Sequence, residues 1–60
     1  MTLKDLCAVL HDMPVWVNAR DGCEYFEDGW AVPCRDNIVR LITVDGSGVL
    51  TVEVLGELWT

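Results

Sequence analysis

The end of the chain limits the fold more than any other stretch. Two runs of period two, "IVRLITV" (38–44) and "VLTVEVL" (49–55), flank Asp45-Gly46-Ser47-Gly48. Alternate side chains of a strand point to opposite faces, so this pattern predicts an antiparallel hairpin closed by a four-residue loop. The loop pairs Val44 with Val49, Thr43 with Leu50, Leu41 with Val52, Arg40 with Glu53 and Val39 with Val54. Val39, Leu41, Val52 and Val54 then share one face, while Arg40 and Glu53 meet on the other as a pair worth about 0.2–1 kcal/mol. A slip of one residue would bury Glu53. In this register Leu41 is core, and Leu41→Ala should cost about 2–5 kcal/mol.

The same period begins at Val15. Val15, Val17 and Ala19 share a face opposite Trp16, Asn18 and Arg20. Asp21-Gly22 predicts a two-residue hairpin turn that pairs Arg20 with Cys23, Val17 with Phe26 and Trp16 with Glu27. Asp28-Gly29 turns the chain again before Trp30-Ala31-Val32, Pro33 to Asn37 is a loop, and Gly56 ends the last strand with a tail behind it. Ahead of the strands, Thr2-Leu3-Lys4-Asp5 has the form of a capping box. Leu3, Leu6, Cys7, Leu10 and Met13 follow at helical spacing, and Pro14 stops the helix near Asp12. The prediction is a single α+β domain over residues 1–60: one N-terminal helix packed on an antiparallel sheet of four or five short strands.

Sixty residues lie near the lower limit for a chain that folds unaided, and 52% hydrophobic composition argues against disorder. Such a core supplies about 3–5 kcal/mol. The apolar runs are too short to span a bilayer, and the start of the chain lacks the layout of a signal peptide, which predicts a cytoplasmic location. Three cysteines, an odd number, then read as reduced thiols. Ten acids against four bases give a net charge of −6. That charge opposes direct contact with nucleic acid or an anionic membrane and favours a basic partner.

Cys7 and His11 stand one helical turn apart, and Cys23 with Cys34 could complete a Cys3His zinc site, the basis of a zinc-stabilised alternative. The short Cys-x2-Cys knuckle is missing, and Cys7 fits the apolar stripe as a buried structural thiol, so no metal or other cofactor is expected. His11 is the only histidine. There is no glycine-rich phosphate loop, and Asp45-Gly46-Ser47-Gly48 lacks the later acidic ligand of a calcium loop. No catalytic residues are expected.

"CEYFEDGW" (23–30) gathers Glu24, Glu27 and Asp28 among Tyr25, Phe26 and Trp30. With Phe26 in the core, Tyr25 and Glu27 face outward beside Trp16. Carboxylates at alternate strand positions, roughly 6.6–6.8 Å apart, can approximate a spaced phosphate array. Tyr and Trp are over-represented among binding hot spots. The expected partner-binding residues are therefore Asp21, Glu24, Tyr25, Glu27, Asp28, Trp30 and Asp36.

The string "TLKDLCAVL…MPVWVNARDG" followed by short strands resembles, in layout and composition, small acidic proteins of phages and mobile elements, among them anti-CRISPR and related anti-defence inhibitors. The resemblance implies a non-enzymatic DNA mimic that occupies a basic nucleic-acid-binding protein, such as a CRISPR effector subunit. The alternative from another class is a module that self-associates through an exposed sheet edge.

Overall fold

The helix begins where the capping box predicts. In the computed structural model, which describes residues 1–60, α1 spans Leu3–Leu10. The Thr2 hydroxyl accepts from the Asp5 N–H at 3.2 Å, and the Asp5 carboxylate accepts from the Thr2 N–H at 3.1 Å. These reciprocal bonds satisfy N–H groups that an open helix end leaves unpaired. Leu3, Leu6 and Leu10 are buried. The helix ends earlier than the sequence suggests. His11 takes φ 45°, the one non-glycine residue with positive φ, and Met13 is exposed rather than packed. This early exit frees the His11 carbonyl to accept from the Trp30 N–H.

Four strands follow: β1 (Val15–Ala19), β2 (Gly22–Phe26), β3 (Val39–Val44) and β4 (Leu50–Val54), with a 3-10 turn at Gly29–Ala31 between the two hairpins. Their order in the sheet is β2-β1-β4-β3. The fold is α+β, with the N-terminal helix on a four-stranded sheet. The sheet is mixed, which corrects the all-antiparallel expectation: β1 lies parallel to β4, with Val15 beside Leu50 and Val17 beside Val52. Val15, Val17, Val52 and Val54 are all buried, so the two strands with the most apolar inner faces take the two central positions.

Both hairpin registers differ from expectation. In the first, Ala19 pairs with Gly22, Val17 with Glu24, Trp16 with Tyr25 and Val15 with Phe26, so the turn is Arg20-Asp21. The displacement is two residues, which preserves the faces: Phe26 stays on the inner side and Tyr25 on the outer. Gly22 is a glycine for lack of room, since an added Cβ would stand 2.7 Å from the Trp59 ring.

In the second hairpin Val39 pairs with Val54 as expected, but the register shifts before Leu41, which pairs with Glu53. Arg40 and Leu41 therefore both oppose Glu53, two residues against one, as in a β-bulge. The Arg40 guanidinium reaches Glu53 at 3.3 Å. Leu41 is turned out to 52% exposure, so its place in the expected core is corrected. Ile42 replaces it opposite Val52.

Nine residues form the core, and Val32 and Leu58 join it from segments that read as irregular. Leu58 is 3% exposed. The tail is held by Asp21, whose carboxylate accepts from the backbone N–H groups of Leu58 (2.8 Å), Trp59 (2.9 Å) and Thr60 (2.9 Å). Trp59 then stacks on Phe26 with ring centroids 6.1 Å apart. Asn37 completes the attachment by donating to the Leu55 and Glu57 carbonyls. No helix is long and apolar enough to cross a membrane.

Candidate functional site

The ten carboxylates divide into two equal groups by what they touch. Asp5 caps α1, Asp21 holds the tail, Asp45 organises its own loop, Glu53 meets Arg40 and Glu57 accepts from the Thr60 hydroxyl. Three of these titrate lower than usual. For Asp5 the causes are the Thr2 N–H and hydroxyl. At Asp21 desolvation pushes upward, and the Leu58 and Trp59 N–H groups outweigh it. Asp45 is held down by the Ser47 hydroxyl and the Val49 and Ser47 N–H groups. The remaining acids, Asp12, Glu24, Glu27, Asp28 and Asp36, make no hydrogen bond or ion pair within the chain, because the one salt bridge is Arg40–Glu53.

Three of those free acids lie in segments that meet at one corner of the fold. The Gly29–Ala31 turn packs on the end of α1: the Trp30 N–H meets the His11 carbonyl, and a Cβ at Gly29 would stand only 2.4 Å from the Leu10 Cβ. This contact sets Asp12, next in sequence to His11, beside Glu27 and Asp28, which precede Gly29. Trp30 projects from the same turn at 71% exposure, the most exposed aromatic residue of the chain. An exposed indole with unpaired acids in the adjoining segments suits a partner that offers a basic and partly apolar surface.

The expected site residues therefore do not form one surface. Glu27, Asp28 and Trp30 lie at the corner. Tyr25 lies on the uncovered face of the sheet, its ring centroid 5.2 Å from that of Trp16. Glu24 is exposed on edge strand β2, on the opposite side from Tyr25, and Asp36 is exposed in the loop before β3. Asp21 is engaged by the tail. Sequence reasoning missed Asp12, although its place just past the helix end was a usable signal. It also missed Trp16 as the cross-strand partner of Tyr25, which follows from the two-residue change of register.

The uncovered face runs into a groove of about 700 Å³ lined by Asn18, Arg20, Cys23, Arg40 and Glu53 among others, with no histidine. The thiols do not assemble with His11 into the Cys3His set. Cys23 is exposed on the outer face of β2, whereas Cys7 sits on the helix, across the sheet. No group of three or more metal-capable side chains occurs. Cys7 and Cys34 both donate to the Val32 carbonyl, at 3.7 and 3.6 Å. Burial, reinforced by Cys34, pushes the Cys7 thiol up to about 12, so it remains protonated and unreactive at neutral pH.

No family model matches the chain, and no curated protein or solved structure is a match for it.

Proposed function

We propose that this protein is a non-enzymatic binding protein that docks its acidic corner on a basic, nucleic-acid-binding protein and blocks access of nucleic acid to that surface. The carrying observation is that Asp12, Glu27 and Asp28, none of them in a hydrogen bond or ion pair within the chain, lie in the two segments joined by the bond from the Trp30 N–H to the His11 carbonyl, beside an indole exposed at 71%. Unpaired carboxylates on a chain of net charge −6 steer encounters with a positive surface, and the indole supplies a desolvated centre of contact. The resemblance to anti-defence inhibitors makes a CRISPR effector subunit the first partner to test, and such an encounter takes place in the cytoplasm.

The test is a binding titration against purified CRISPR effector complexes, with and without their target DNA, over a range of salt. The proposal expects association that weakens steeply with salt, since exposed charges are screened beyond about 8 Å at physiological ionic strength. It also expects DNA and this chain to exclude each other. Joint reversal of Asp12, Glu27 and Asp28 to lysine should abolish binding while leaving the melt nearly unchanged, because surface changes usually cost within about 0.5 kcal/mol each. Trp30→Ala should speed dissociation. Simultaneous binding of DNA and chain, or full binding by the triple variant, would refute the mimicry.

A further inference from the structure

The two edges of the sheet are unlike. β2 carries Glu24 and runs into Glu27 and Asp28, so self-pairing there would bring acids against acids. β3 holds no acid between residues 38 and 44; its one charge is Arg40, and it exposes Leu41, Ile42 and Val44, the last at 65%. Natural edges are usually protected by charge, proline or a covering segment. Here protection reaches only the start of the strand, where the Val39 N–H donates to the Met1 carbonyl and Thr2 bridges Ile38.

The backbone fixes which groups remain open. The Asp45 N–H donates to the Val49 carbonyl, so Asp45 and, by alternation, Thr43 face β4. Ile42 and Val44 therefore point their N–H and C=O groups away from the sheet. We propose that β3 pairs antiparallel with β3 of a second copy of this chain, with Thr43 on the two-fold axis.

That register sets Ile42 of each copy opposite Val44 of the other, and each such pair exchanges N–H···O=C bonds in both directions. It also places the Arg40–Leu41 bulge of one copy beside Asp45 of the other, so each end of the new ladder joins opposite charges. The two four-stranded sheets become one continuous sheet. A contact of this length is small, and each copy carries −6, so the dimer is weak at low salt. Added salt screens the overall repulsion more than it weakens the short apolar ladder, so self-association should rise with salt. This is the opposite of the dependence expected for docking of the acidic corner, and the two surfaces lie at opposite edges of the sheet. The dimer therefore stands or falls independently of the proposed function.

Sedimentation of the intact chain from micromolar to millimolar concentration, at low and high salt, tests the proposal, together with amide exchange resolved by residue. The expected result is a monomer–dimer equilibrium that shifts toward dimer with salt, with slowed exchange at Ile42 and Val44 as concentration rises. Val44→Pro removes an outward N–H that β4 does not use, and Ile42→Lys puts a charge on each side of the axis. Each should weaken self-association at least tenfold. If Val44→Pro fails to fold, Ile42→Lys alone decides. A monomer under all conditions, a dimer that weakens with salt, or variants that dimerise like the parent would overturn the proposal.

Discussion

Each hairpin has an Asp-Gly dipeptide at its turn, Asp21-Gly22 where the turn enters β2 and Asp45-Gly46 where β3 leaves for its loop, and the two have opposite reach. Asp45 accepts from the Ser47 N–H, the Ser47 hydroxyl and the Val49 N–H, all within its own loop. Asp21 accepts from three N–H groups 37 to 39 residues away. Gly46 has nothing within 4 Å of where a Cβ would stand, whereas Gly22 lies against the Trp59 ring. One dipeptide closes a turn; the other also fastens the end of the chain over the core. The same two letters mark a turn in both places, but what the carboxylate binds depends on what the rest of the fold brings to it.

The largest effects should come from the long-range attachment. Leu58→Ala removes a fully packed side chain and should cost about 2–5 kcal/mol in a urea melt. Asp21→Asn should produce the second clear loss, with fast amide exchange at Leu58, Trp59 and Thr60 and none of that fraying in Asp45→Asn. Equal exchange at the tail in both variants would break the contrast between the hairpins.

Gly22→Ala comes next, at about 1–3 kcal/mol, because Trp59 must move to admit a methyl group. Gly46→Ala should stay within about 0.5 kcal/mol.

Acid sharpens the same contrast. Asp21 and Asp45 are both held below the ordinary carboxylate value of 3.8 when folded. Each contributes stability that is present above that value and is lost as pH falls through the lower folded one. A pH series followed by amide exchange should show Asn at position 21 removing the acid sensitivity of the tail, and Asn at 45 that of its loop alone.

The smallest effect should be at Leu41. Its alanine variant should cost within about 0.5 kcal/mol, rather than the amount its place in the sequence pattern implies. A loss of several kcal/mol there would show that the bulge at Arg40 is misplaced.

What was legible in the sequence was local. The capping box of Thr2 and Asp5 lies within one helical turn, and the faces of β1, β2 and β4 follow from side-chain alternation, which survives a register change of two. The bulge was not legible, because either register satisfies Arg40 and Glu53, and the two differ only in whether Leu41 or Ile42 stands opposite Val52. The parallel meeting of β1 and β4 was hidden for a different reason: no turn joins the two strands, so no short-range signal records it. The site divides the same way. Trp30 and its neighbours Glu27 and Asp28 could be read from one octapeptide, but Asp12 comes to them only because the helix stops early. Asp21 looked available and is engaged, since the residues that hold it come at the far end of the sequence.

That attachment has a consequence for how the protein is made. Synthesis delivers β1 early, yet its central neighbour is β4, and the layer that closes the core waits for Leu58. Contacts between strands so far apart in sequence form late, after the cost of closing the intervening loop has been met. Until residues 50 to 54 are made, α1 and the first hairpin can form, but Val15 and Val17 lack the strand that flanks them in the finished sheet. A chain stalled or truncated before Leu58 should be a substrate for chaperones and proteases rather than a smaller version of the domain.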